Sequence, residues 1–239
     1  MARRAKTHHD ELGAELDDCD GYNGLYCNTG KSALGYRTSM PTLRRATPGD
    51  RDPLCRTIVR AFVDDPVWTW MFPRHLYAPC APLFAAALFD MLQPADKVWI
   101  ADAYAGGAFW APPGPTHDRD AAFEAHLPAL AEAAGGDLER LRALGLAADG
   151  ARPTEPHWYL SVLGTDPDQQ GKGAGSALLG EVLARCDAAA TVAFLETETP
   201  RNVAFYQRRG FVVVNEADLP GGGPHLWFMR RPPRMAATR

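Results

Sequence analysis

The sequence predicts a mixed α/β single domain. Three observations carry that expectation. The chain is 239 residues long and 46% apolar, which fits one ordinary folded domain. From Thr42 onward, short β-rich segments alternate with helical patterns. The clearest strand pattern, His157–Thr165, leads through a glycine-rich turn into the clearest amphipathic helix pattern, Gly173–Ala189.

The elements follow in order. Thr42–Ala46 reads as a short strand. Thr47-Pro-Gly-Asp50 is a turn that caps a helix over Arg51–Val63, which Asp64-Asp65-Pro66 ends because proline disfavours helix at the residue before it. Val67–Phe72 is short and aromatic. Pro79–Leu92 reads as a second helix with Leu83, Ala87, Leu88, Met91 and Leu92 on one side. Lys97–Asp102 and Gly107–Ala111 form a hairpin about a turn containing Gly106, and Pro112-Pro113-Gly114-Pro115 stops it. Asp118–Ala148 divides into two helices at Gly135-Gly136. In Gly173–Ala189, Leu178, Leu179, Val182, Leu183 and Cys186 form one stripe. Val192–Glu196 is a strand and Pro200–Arg209 a helix. Phe211–Asn215 and His225–Met229 close the domain.

Residues 1–39 differ. They are polar, with an acidic patch at Glu11, Glu15, Asp17, Asp18 and Asp20, and read as a disordered or loosely docked tail. The folded domain is expected over 40–232, with a second tail at 233–239. Gly24 to Gly30-Lys31-Ser32 imitates a phosphate loop, but five residues separate its glycines where four are needed.

Composition excludes several classes. A net charge of −4 argues against general nucleic-acid binding and suits a cationic partner. No apolar run reaches about 18 residues, so no membrane span is expected. The five cysteines (Cys19, Cys27, Cys55, Cys80, Cys186) are scattered, without the spacing of a disulfide framework or a zinc site, so no metal is expected. No apolar stretch follows Met1-Ala-Arg-Arg4, so a cytoplasmic location is expected, without a secretory signal.

The informative stretch runs from Leu163 to Ser176. Gly171, Gly173 and Gly175 bare backbone N–H groups at a helix start, which with the helix dipole make an anion site for phosphate or pyrophosphate. Gln170 and Lys172 add donors. The dinucleotide fingerprint fails for want of a third glycine. The spacing that fits is Gln170-x-x-Gly173-x-Gly175. Here the sequence resembles the GNAT superfamily of N-acetyltransferases, whose acetyl-CoA signature is Gln/Arg-x-x-Gly-x-Gly/Ala. Pro200-Arg-Asn-Val-Ala-Phe-Tyr-Gln-Arg-Arg-Gly-Phe211 is similar to that family's C-terminal motif. Within it, the puromycin N-acetyltransferase-like group is the nearest resemblance, on Glu155–Leu160, Pro167–Gly173, Phe194–Thr197 and Pro200–Tyr206. Ala61–Asp64, Lys97–Asp102 and Trp227–Met229 also fit. The likeness spans about Thr42–Pro232. One departure is that Asn202 lies four residues before Tyr206, where many members place an asparagine seven before.

The resemblance implies a central mixed, mostly antiparallel sheet flanked by helices, with two parallel strands splayed at the cofactor cleft. It implies acetyl-CoA as co-substrate. Leu163, Gly164 and Thr165 would pair with the pantetheine arm. Gln170, Gly171, Lys172, Gly173, Ala174, Gly175 and Ser176 would take the pyrophosphate, and Asn202 would touch the arm. Tyr206 resembles the family's general acid. Glu196 is the first choice of base, with Glu155 and Glu198 as rivals. Asp64, Asp65, Trp68, Trp110 and Trp158 combine acids with aromatics, which suits a cationic amine with an aromatic or apolar body. His75, His117, His126 and His225 are scattered and read as surface or turn residues. The expected function is acetyl transfer to the primary amine of a small molecule, of the aminonucleoside-antibiotic type, in a monomer or homodimer with no nucleic-acid or membrane partner. The alternatives are a protein or peptide acetyltransferase and a non-catalytic acyl-CoA-binding module.

Overall fold

The computed structural model describes residues 40–95, 97–114, 123–134 and 136–234. The expected tail at 1–39, residues 235–239 of the expected tail at 233–239, His117 and the first residues of the Asp118–Ala148 segment lie outside the described residues.

Seven strands form one sheet: β1 (Leu43–Arg45), β2 (Val98–Ala101), β3 (Gly106–Ala111), β4 (His157–Thr165), β5 (Val192–Thr197), β6 (Val212–Asp218) and β7 (His225–Arg231). Their order is β1-β2-β3-β4-β5-β7-β6. Every neighbouring pair is antiparallel except β4–β5, which is parallel. Among the described residues the α-helices are α1 (Arg51–Ala61), α2 (Pro66–Met71), α3 (Arg74–Leu92), α4 (Leu127–Ala133), α5 (Glu139–Ala151), α6 (Ala174–Ala188) and α7 (Pro200–Gln207). This is the mixed, mostly antiparallel α/β architecture that the sequence implies.

Both faces of the sheet are covered. α1 and α3 pack on one face with Leu54, Ile58, Phe84, Phe89 and Phe109. α6 packs on the other, and its stripe Leu178, Leu179, Val182, Leu183 and Cys186 is buried as expected. Every residue of β2 and β3 is therefore buried, which explains their unbroken apolar pattern.

Three local readings need correction. Asp65 does more than end α1. Its side chain accepts bonds from the N–H groups of Val67 (3.0 Å) and Trp68 (2.9 Å), and Pro66 follows it, so the aromatic segment becomes helix α2. Next, α3 begins at Arg74, ahead of Pro79. Pro79 and Pro82 sit on its exposed side, where water can serve the carbonyls they leave unbonded. The buried side of α3 carries Cys80, Phe84 and Phe89, and Leu83 is exposed. Finally, Gly106 belongs to β3 and not to the turn. A Cβ there would lie 2.7 Å from the Gly164 carbonyl oxygen.

α3 is the one helix among the described residues long and apolar enough to cross a membrane, and half of that stretch is buried inside the fold against α1, α4 and β3.

Candidate active site

The β4–β5 ladder pairs His157 with Val192, Trp158 with Ala193 and Tyr159 with Phe194, then stops. β4 continues to Thr165 and β5 to Thr197. Beyond Tyr159 the cleft-side edge of β4 therefore lacks a strand partner. A bulge lies at the same place. Phe109 faces Val162 and Trp110 faces Leu160, so Ser161 is the extra residue that bends β4. The split opens into a cleft of about 1090 Å³, walled by α1–α3, α5, both parallel strands, the glycine turn and α7.

At one end lies the glycine turn. Gly171 and Gly173 have φ of +77° and +89°. A Cβ on either would meet nothing within 4 Å, so the backbone angle is what requires glycine. The first backbone bond into α6 is from Ala177 N–H to Gly173 C=O, 3.0 Å. The N–H groups of Ala174, Gly175 and Ser176 precede it and have no backbone partner among the described residues. An anionic group fits this cradle.

Leu163, Gly164, Thr165, Gln170, Gly171, Gly173, Ala174, Gly175, Ser176 and Asn202 all line the cleft. Lys172 does not. Its Nζ turns back to donate to the Asp168 carbonyl (3.1 Å) and to Gln169 Oε1 (3.0 Å). Gly164 has a second role, since a Cβ there would fall 2.8 Å from Ile58 Cδ1 and 3.2 Å from Ala61 Cβ; its bareness seats α1 on β4.

Cations that the motif did not flag stand at the same end: Arg201, Arg208 and Arg209 line the cleft. The Arg209 guanidinium bonds Ser176 Oγ and the Phe205 carbonyl and lies over the Phe205 ring, 3.6 Å from its centroid. Burial, and then the neighbouring Arg208 charge, lower its pKa. The Arg208-Arg209 pair ahead of Gly210-Phe211 was the available signal.

The opposite end is acidic. α7 starts at Thr199, whose hydroxyl accepts from Asn202 N–H at 3.2 Å, and this presents Tyr206. Tyr206 is 8% exposed and packs edgewise on Phe205 and Phe211. Its hydroxyl has no hydrogen-bond partner among the described residues, and it lines the cleft. Burial, followed by the charges of Glu198 and Glu196, pushes its pKa up, so it carries its proton.

Glu196 and Glu198 both line the cleft. Glu196 Oε1 accepts a bond from the Tyr159 hydroxyl. Glu198 is pressed by burial and by the charges of Asp65 and Glu196, which raise its pKa well above the usual carboxyl range; a bond from Asn202 Nδ2 (3.2 Å) opposes them. Asn202 is thus engaged with Glu198. The third rival, Glu155, is outside the cleft. It pairs with Arg230 at 2.7 Å, which holds its pKa down.

The acceptor residues divide. Asp65 and Trp68 line the cleft. Asp64 is exposed and lies outside it. Trp110 is fully buried, and Trp158 packs edgewise between Trp99 and Trp110. Neither reaches the cleft, because strand side chains alternate: Trp158 and Leu160 turn to α6, and Tyr159 turns to the cleft. Tyr159 and Arg152, whose guanidinium lies 4.7 Å from the Tyr159 ring centroid, are the wall residues that the sequence reading passed over. His225 bonds Asp218 and Glu216 at the surface. Among the described residues, no group of three or more His, Cys, Asp or Glu side chains could hold a metal ion.

Residues 110–211 match the Acetyltransferase (GNAT) family. A Corynebacterium glutamicum structure described as "histone acetyltransferase HPA2 and related acetyltransferase" is 26% identical, covers 84% of this chain and 100% of its own, and has a TM-score of 0.63. An N-acetyltransferase from Staphylococcus aureus is 15% identical over 78% of this chain and 99% of its own, with a TM-score of 0.52. An agmatine N-acetyltransferase is 13% identical over 81% of this chain and 100% of its own, also at 0.52. These two share the fold. The class is that of acetyl-transferring enzymes. Within it, the match of residues 110–211 supports N-acetyl transfer of the GNAT type, in a family that generally uses acetyl-CoA.

Proposed function

We propose that the enzyme transfers acetyl from acetyl-CoA to the primary amine of a small molecule with an aromatic or apolar body, in the manner of aminonucleoside-type antibiotics. The observation that carries this reading is the acceptor end of the cleft. Trp68, Met71, Phe84, Leu141 and Val162 wall it, and the carboxyls of Asp65, Glu196 and Glu198 enter it beside Tyr206, with Glu124 and Asp149 also in the lining. An apolar chamber with one acidic end suits a cationic head on a greasy body better than an extended peptide. Three free buried thiols, Cys55, Cys80 and Cys186, suit a reducing compartment such as the cytoplasm.

The pantetheine arm runs along the open edge of β4 at Leu163–Thr165, and the pyrophosphate rests on the glycine turn with Arg209 beside Ser176. Acetyl-CoA supplies the activated thioester. Tyr206 gives its proton to the departing sulfur, and a carboxylate, Glu196 or Glu198, takes the proton of the amine. The test is CoA release from acetyl-CoA across free amines, puromycin included, and across peptides. Turnover confined to aromatic and apolar primary amines is expected. Turnover confined to peptides overturns the acceptor class, and CoA binding without transfer to any amine overturns the catalytic reading.

A further inference from the structure

Asp65 and Glu198 come from distant parts of the chain and meet in the cleft wall. Asp65 is fixed as the cap of α2 by the Val67 and Trp68 N–H groups. Glu198 follows β5 and is fixed by Asn202 Nδ2 from α7. Their side chains hydrogen-bond each other. Two carboxyl groups bond only when a proton lies between them, because an ionised carboxylate has no donor. A second group points to a guest at this spot: Tyr206 is a largely buried residue that lines the same cleft, and its hydroxyl bonds no described residue. Glu196 is differently placed, since its Oε1 is taken by Tyr159.

We propose that Asp65 and Glu198 act as a single-proton dyad that seats the substrate ammonium and accepts its proton, in preference to Glu196. The inference rests on the acetyl-transfer reading above. The ammonium enters beside the dyad and displaces the shared proton to solvent. One N–H proton then passes to the dyad, which goes from two negative charges to one. The freed nitrogen lone pair forms the N–C bond to the thioester carbonyl carbon. The C–S bond breaks, its electron pair stays on sulfur, and sulfur takes the Tyr206 proton. The second proton on the amide nitrogen returns to the Tyr206 oxygen.

The crowding of the dyad matters to this chemistry. Burial raises both carboxyls; Asp65 raises Glu198 further, whereas the bond with Glu198 and the Trp68 and Val67 N–H groups pull Asp65 back, so Glu198 is the member that accepts a proton nearer neutrality than a free carboxylate does. The titratable groups around it are Glu196 on β5, Tyr206 on α7, and Tyr77 on α3, which feels both Asp65 and Asp64. Arg209 acts on Tyr206, and Arg142, Arg152, Arg201 and Arg208 are the other cations lining the cleft.

The experiment is the pH profile of kcat/KM for wild type, Glu198→Gln, Asp65→Asn and Glu196→Gln. Two probes are used: puromycin, an α-amine of pKa about 8, and phenethylamine, an alkylamine of pKa about 10. In wild type the acid limb stays at one pH for both amines, and the alkaline limb moves with the amine. Glu198→Gln lowers kcat/KM about 100-fold and shifts the acid limb to lower pH. Asp65→Asn shifts it too, and Glu196→Gln, which removes only a neighbouring charge, shifts it less than either. CoA binding by calorimetry, unchanged in all three, shows that they fold. An acid limb that moves more in Glu196→Gln than in Glu198→Gln overturns the dyad. Wild type that binds CoA and acetylates neither amine overturns the underlying reading, and the dyad with it.

Discussion

The Tyr159 hydroxyl donates to Glu196 Oε1 at 2.5 Å, bridging the two parallel strands just past the last rung of their ladder. Where β4 and β5 give up backbone pairing, this side-chain bond holds them and fixes the mouth of the cleft. Arg152 lies over the Tyr159 ring and pairs with Asp149 at 3.1 Å, so α5 is tied to the same point.

Tyr159→Phe keeps the ring and its contact with Arg152 and removes the hydroxyl that bonds Glu196. A hydrogen bond to a charged group contributes about 1.5–3 kcal/mol. Urea unfolding should show a loss of that size. The KM of the amine should rise more than that of acetyl-CoA, because the glycine turn is untouched. Equal changes in both constants would mean that the bond shapes the whole cleft.

Tyr206→Phe tests the acid. Proton donation from a placed side chain is worth about 10²–10⁴ in rate, so kcat should fall at least 100-fold. Affinity for CoA should hold, because the hydroxyl bonds no described residue and the cradle lies elsewhere. The Tyr206 pKa is pushed above its ordinary value, so its ionisation should leave no alkaline limb at or below pH 10. Full turnover in the phenylalanine variant removes Tyr206 from the mechanism.

Gly173 and Gly180 offer a paired test on α6. Both have open space around a built Cβ. Gly173 caps the helix at φ +89°, where an L side chain costs about 1–2 kcal/mol. Gly173→Ala should therefore weaken CoA binding about tenfold as the cradle distorts. Gly180→Ala lies mid-helix and should stabilise the fold by about 0.5–1 kcal/mol with CoA affinity unchanged. Calorimetry and thermal melts read the two effects separately.

The sequence displayed the cofactor side of this cleft well and the acceptor side poorly, for a physical reason. β4 was readable to its ends, His157 to Thr165, and the glycine turn after it was readable because helix start, backbone freedom and anion site are all local properties. Trp110 and Trp158 were misread because alternation shows that strand faces differ and not which face meets the cleft. Asp65 and Glu198 each appear as an ordinary acid in a loop; only the meeting of α2 with the end of β5 makes them a pair. The early start of α3 was hidden by Pro79 and Pro82, which a helix tolerates when its exposed side carries them.

Asp50 predicts an acid sensitivity unrelated to catalysis. It is 5% exposed and accepts bonds from Arg44 (2.7 and 2.6 Å), from Thr47 N–H (2.7 Å) and hydroxyl (2.8 Å), and from the Tyr104 hydroxyl (2.7 Å). One carboxylate thus joins β1, the start of α1 and the turn between β2 and β3. The Arg44 bond, opposed by burial and helped by Thr47, holds its pKa far below the ordinary range. The unfolded group titrates near about 3.9. Its contribution is therefore complete above that pH and is lost as pH falls toward the depressed folded value. At pH 7, Asp50→Asn should lower the unfolding free energy by about 2–3 kcal/mol, the worth of a charged hydrogen bond. In urea titrations at pH 7, 4 and 3 the gap between wild type and variant should narrow at the lowest pH. A gap that stays constant would show that Arg44 gains nothing from the charge on Asp50.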